Sequence, residues 1–256
     1  MKPSYFMDLY YPSDRNELLG YCKCEQREGH TPSLILLPHS SLEFIHSMYQ
    51  DAFSLIHNPR RIVIIAPIHN EVFESDAGEC LFTLSSGDVL TPLGGVHIEQ
   101  VPGVKINDEY AEREYAIEIF YPYIACNSPH SSLLPLFTSL DSKEDILTLS
   151  RLMAKLKKEE NDTLFIVSGN FTSLGSSEEI NSMAKTLKEL LENNAPLLDA
   201  GNRKKISGCA YKIMEAARTA FPGKFTLNTA RCGNYIGENI SNAGDGRIWQ
   251  VYGVKE

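Results

Sequence analysis

Three short aliphatic runs punctuate the chain: "SLILLP" (33–38), "RIVIIAP" (61–67) and "TLFIVSG" (163–169). Each is too short for a typical helix and lacks polar alternation, the pattern expected of strands covered on both faces of a parallel sheet. A fourth run, "SSLLPLFTSL" (131–140), reads as a weaker strand because Pro135 sits in its middle, and "GRIWQVYGV" (246–254) alternates as a late strand. The Gly- and Pro-rich segment 85–106 reads as a hairpin-like excursion.

Helical spacing fills the intervals. In 141–159, Ile146, Leu149, Leu152, Met153 and Leu156 form one stripe behind Asp141 or Ser142 as N-cap. In 177–193, Ser177 precedes Glu178 and Glu179, and Ile180, Met183, Leu187, Leu190 and Leu191 follow at helical intervals. A third helix is predicted from Ser207 or Gly208 to Ala220, before Pro222-Gly223, and a fourth over about 108–120. Strands alternating with helices predict an α/β fold, a mainly parallel central sheet flanked by helices in three layers, as a single domain over 1–256.

Composition narrows the function. The 256 residues carry a formal charge of −9, which opposes binding to nucleic-acid phosphates. No run approaches the ~18 apolar residues of a membrane span, and the N-terminus lacks a signal-peptide pattern, so a cytoplasmic location is expected. Six scattered cysteines read as free thiols. Cys22-Lys-Cys24, with His30 nearby, has no second ligand pair at metal spacing and reads as structurally neutral.

Ligands of open α/β sheets sit beyond the carboxyl ends of the strands. Those ends here are Pro38-His39, Pro67-Ile68-His69 and Ser168-Gly169-Asn170. A single histidine after a buried strand is usually a loop residue satisfying backbone groups. Two at matching positions, His39 and His69, point instead to a transition-metal site, with a carboxylate such as Glu118 able to complete it. Glu118 reads equally well as a solvated helix residue. Ser207 is a candidate helix N-cap, which would put Cys209 in the first turn as a reactive, metal-binding or merely packed thiol. No Gly-x-Ser-x-Gly elbow supports a serine hydrolase.

Taken in order, "LYYPSDRNELL" (9–19), "LILLPHSS" (34–41), "RIVIIAPIHN" (61–70), "LTPLGGVHI" (90–98), "EYAIEIFYPY" (114–123) and "LFIVSGNFTSLG" (164–175) resemble the motif series of the Memo family, which includes the AmmeMemoRadiSam system protein B members. The resemblance implies a fold similar to class III, LigB-type extradiol dioxygenases. It also implies a strand-end metal pocket built from His39, His69 and a cysteine before a helix. That cysteine falls at Ser207, two residues short of Cys209. Elsewhere Asn170 stands for an aspartate, Ser173, Tyr115 and Asn70 stand for histidines, and Glu118 keeps the family carboxylate.

The expected pocket is therefore His39, His69, Tyr115, Glu118, Asn170, Ser173, Ser207 and Cys209, with His39 and His69 as metal residues. The first expectation is a degraded metal pocket that binds a small molecule or protein partner without catalysis. Second is a dioxygenase-like oxidoreductase holding non-haem iron or copper on His39, His69 and either Glu118 or Cys209. A weaker third is a metal-free hydrolase or transferase acting through Cys209. The implied cofactor is iron, copper, zinc or none, and the implied system partners are a radical-SAM or AMMECR1-like protein.

Overall fold

The computed structural model describes residues 4–69, 80–111, 113–172, 176–223, 225–234 and 247–255. Its strands are β1 (Leu34–Leu37), β2 (Arg61–Pro67), β3 (Leu81–Thr83), β4 (Gly87–Thr91), β5 (Gly94–Ile98), β6 (Lys105–Ile106), β7 (Ser132–Thr138), β8 (Thr163–Ser168), β9 (Thr226–Asn234) and β10 (Arg247–Lys255). The helices are α1 (Arg15–Cys22), α2 (Leu42–Phe53), α3 (Asp108–Ala111), α4 (Tyr115–Glu118), α5 (Tyr121–Asn127), α6 (Lys143–Glu159), α7 (Ser177–Glu192), α8 (Ala200–Arg203) and α9 (Tyr211–Ala220).

One mixed sheet runs β4-β5-β7-β2-β8-β1-β10-β9. Its centre, β7-β2-β8-β1, is parallel throughout, and those strands carry the four aliphatic runs. Their side chains divide by alternation. Ile35, Leu37, Ile62, Ile64, Leu164 and Ile166 pack with α1, α2, α4 and α5 on one face. Leu34, Leu36, Val63, Ile65, Phe165 and Val167 pack with α6, α7 and α9 on the other. Residues covered on both sides have no polar face to show, so the runs are continuous. This is the expected three-layer α/β arrangement. Among the described residues no helix is long and apolar enough to cross a membrane.

Pro135 does not weaken β7. The strand pairs with β2 along its whole length, whereas on its other side β5 meets only Ser132 and Leu133, and β3 only Phe137 and Thr138. Pro135 falls in the gap between those partners, where a missing N–H removes no bond to either. The 85–106 excursion contains the β4–β5 hairpin, and β5 returns to extend the sheet parallel to β7.

Three helix expectations change. The cap of α7 is Ser176, whose hydroxyl accepts from Glu179 N–H, and Ser177 is already helical. The stretch 108–120 is broken, with α3 and α4 separated and α5 beginning only at Tyr121. The third helix starts at Tyr211, later than Ser207 or Gly208, behind Ala210, which offers no side-chain cap. In α6 the choice resolves to Ser142, in a capping box with Asp145.

Candidate functional site

Strand order decides which loops meet. Because β8 lies between β1 and β2, the two histidines beyond those strands flank the end of β8, which is Ser168. His39 is buried, and its Nδ1 lies 3.0 Å from Ser168 Oγ. Ser168 Oγ is in turn 2.6 Å from the Ala116 carbonyl oxygen. His69 is held by Glu114, whose carboxylate accepts the His69 backbone N–H at 2.8 Å and lies 3.0 Å from Nδ1. The same carboxylate caps α4 by accepting Ala116 N–H at 3.1 Å. The imidazole rings stand edge to face, with centroids 4.8 Å apart.

The third member is Cys209, which lies ahead of α9 in an irregular segment packed on the loop after β8. Cys209 N–H donates to the Asn170 carbonyl at 3.0 Å, and Asn170 N–H donates back to Cys209 Sγ at 3.1 Å. Two glycines permit this approach. A Cβ on Gly169 would stand 2.2 Å from Ala210 Cβ, and one on Gly208 would stand 2.4 Å from the Asn170 carbonyl oxygen. Gly208 also has φ +125°, a conformation that a side chain disfavours. The result brings Cys209 Sγ to 3.3 Å from His39 Nε2. One ligand atom from each of His39, His69 and Cys209 lies within 4.8 Å of the other two.

At Ser207, where the family resemblance places the cysteine, the hydroxyl donates to Met183 Sδ at 2.8 Å, and the sulfur beside the imidazoles is that of Cys209. A two-residue offset would rotate a side chain by roughly 200° on a helix, but 207–210 precedes the helix, so that rotation does not apply. For the same reason the expected placement of Cys209 in a helical first turn is corrected.

Glu118 is corrected too. Its carboxylate accepts from Tyr5 N–H, Phe6 N–H and Tyr11 hydroxyl at 3.0, 2.8 and 2.8 Å, and so serves the N-terminal segment. The carboxylate at the histidines is Glu114, to which the sequence alone assigns no role. Tyr115 is at the site, stacked between Tyr10 (centroids 4.1 Å) and His69 (5.7 Å) and edge-on to His39. Asn170 is there through its backbone, and its Oδ1 is buried with no hydrogen-bond partner among the described residues. Ser173 and Asn70 lie outside the described residues. Cys22 is buried in the core and the Cys24 thiol donates to Asn127 Oδ1 at 3.0 Å, so each thiol of the Cys-x-Cys pair has a structural place.

Environment separates the two imidazoles. Burial, with His69 beside it, holds His39 well below the ordinary histidine value. Burial also works against a charged His69, but hydrogen bonds to Cys209 and Glu114, with the charges of both, raise it to about 10. Next to Cys209 a cavity of about 220 Å³ opens at the ends of β2 and β7, lined in part by Pro67, Ile68, Thr138, Asp141 and Lys212. Lys212 Nζ donates there to the Leu140 carbonyl and lies 3.5 Å from Asp141 Oδ1.

Residues 9–221 match the family model described as Memo-like protein. A solved structure similar to the chain is "uncharacterized protein JW3007 from Escherichia coli K12", 14% identical, covering 86% of this chain and 98% of that one with a TM-score of 0.44. No curated protein matches the sequence. With the family model spanning most of its length, the chain belongs to the Memo-like family.

Proposed function

We propose that this member of the Memo-like family holds one transition-metal ion on His39, His69 and Cys209 and acts on a small molecule in the adjoining cavity. The observation that carries this reading is the mutual 4.8 Å reach of two imidazole nitrogens and one sulfur at the strand ends. Their donor chemistry fits. Imidazoles and a thiolate suit copper or zinc, and three protein ligands leave a position open. With Glu118 occupied by the N-terminal segment, the two-histidine, one-carboxylate iron set has no support from that residue. A bound ion would supply Lewis acidity or, for copper, electron transfer. The chain's own residues would do the rest: Glu114 orients His69, Tyr115 walls the two rings, and the Asn170 backbone positions Cys209.

Metal content and competitive titration of the purified protein with zinc(II) and copper(I) test the proposal. One equivalent bound by the parent, and lost in His39→Ala, His69→Ala and Cys209→Ser, is expected. Uptake unchanged in all three variants would sink it.

Two other readings have specific support. Asn170 is an amide where the family resemblance expects an aspartate, and an amide cannot act as a base, which favours a pocket that binds a small ligand or partner without turnover. The 3.3 Å approach of Cys209 Sγ to His39 Nε2 favours a thiol–imidazole pair working without metal. Alkylation separates them from the metal reading. A sulfur engaged by zinc is shielded from iodoacetamide, so protection of Cys209 by one equivalent of zinc is expected. Rapid alkylation that zinc leaves unchanged favours the thiol–imidazole pair, and slow alkylation that zinc leaves unchanged favours the binding pocket.

A further inference from the structure

The hydroxyl of Ser168 has one hydrogen and two neighbours that compete for it. The Ala116 carbonyl oxygen, 2.6 Å away, carries no hydrogen and can only accept. Phe120 N–H, which a continuing helix would direct to Ala116, bonds Ile117 O instead at 3.1 Å, leaving the Ser168 hydroxyl to serve that carbonyl. With its hydrogen committed, Ser168 Oγ can only accept from His39 Nδ1 at 3.0 Å. Nδ1 must then carry the proton, and Nε2 is left as a lone pair 3.3 Å from Cys209 Sγ. Ser168 and His39 are both fully buried or nearly so, so water has little access to supply an alternative partner.

We propose that Ser168 is a positioning residue that fixes the Nδ1–H tautomer of His39 and turns Nε2 toward the metal position. This deepens the metal reading above and rests on it for its purpose. The two histidines are then set through one short helix by different chemistry. Glu114, the N-cap of α4, orients His69 directly with its carboxylate, whereas the Ala116 carbonyl, two residues on, orients His39 through a neutral hydroxyl. A neutral partner fixes direction without adding charge, so His39 is the less strongly supported donor of the pair.

The test uses metal-free full-length protein labelled with ¹⁵N-histidine, with His39 assigned by comparison with His39→Ala. Long-range ¹H–¹⁵N spectra at neutral pH are expected to show a protonated Nδ1 and an unprotonated Nε2 in the parent. Ser168→Ala should lose that single tautomer, and Ser168→Thr, which keeps the hydroxyl, should recover it. Zinc affinity should fall roughly 10- to 100-fold in Ser168→Ala and return in Ser168→Thr. An Nε2–H tautomer in the parent, or an unchanged Nδ1–H tautomer in Ser168→Ala, overturns the assignment. A tautomer that shifts while zinc affinity stays constant overturns its role in metal binding. A fixed tautomer in a parent that takes up neither zinc nor copper supports the assignment and defeats the metal reading, so the two failures are distinguishable.

Discussion

Glu114 and Glu118 stand four residues apart on the same turn, and both are buried. Their tasks nevertheless differ completely. Glu114 gathers the His69 backbone N–H, His69 Nδ1 and Ala116 N–H, which places it at the candidate site. Glu118 gathers Tyr5 N–H, Phe6 N–H and Tyr11 hydroxyl, and so pins the N-terminal segment to α4. The chemical type of a buried carboxylate says little about its purpose. What decides it is which donors the neighbouring elements bring within reach, since a buried charge must be satisfied by whatever surrounds it.

The largest expected effect is that of Glu118→Ala. It removes the shared acceptor of three donors, two of them backbone N–H groups of the N-terminal segment, and should lower stability by about 3 kcal/mol in urea unfolding. Zinc should still bind to one equivalent, and loss of all metal in this variant would break the division between the two carboxylates. Next comes Glu114→Gln. A single amide oxygen cannot serve every donor that the carboxylate accepts, so zinc affinity should fall roughly 10- to 100-fold with a smaller change in unfolding. The comparison reverses if affinity is unchanged here and lost in Glu118→Ala.

The smallest effect concerns pH. Burial pushes the Glu118 carboxyl above its ordinary value, against the opposing hold of Tyr5 and Phe6 N–H and the Tyr11 hydroxyl. The folded protein therefore takes up this proton at a higher pH than the unfolded chain does, and the ionised form is the less favourable one in the native state. On acidification the gain in stability should begin near the raised folded value and be complete only below about pH 4.3, the ordinary glutamate value. Glu118→Gln cannot take up that proton. Relative to the variant, wild type should thus gain stability over this window, and parallel pH profiles of the two proteins would show that Glu118 is not the responsible group.

Much of the frame was legible because its cause is local. A strand covered on both faces cannot carry polar side chains, so β1, β2 and β8 announce themselves as aliphatic runs. The capped and amphipathic α6 is equally self-evident. His39 and His69 were legible for a related reason: each follows a recognisable strand, and ligands gather at such ends. Cys209 was harder. Its place depends on where α9 begins and on how closely 207–210 approaches the loop after β8, both fixed by Gly169, Gly208 and the packing of Ala210. Glu114 was hidden by the opposite problem, since the continuous helix expected over 108–120 is broken just ahead of it.

By itself, the sequence determined the α/β class, the central strands and the strand-end position of the two histidines, because continuous apolar burial and its termination leave marks on neighbouring residues. Only the tertiary structure decided that β8 inserts between β1 and β2 and that Ser168 stands beside His39. It likewise decided that Cys209 rather than Ser207 meets the imidazoles, and that Glu114 rather than Glu118 serves them. Those outcomes rest on strand order and loop approach between segments far apart in the chain. No local pattern encodes them, because contact across such distances depends on how the whole sheet assembles.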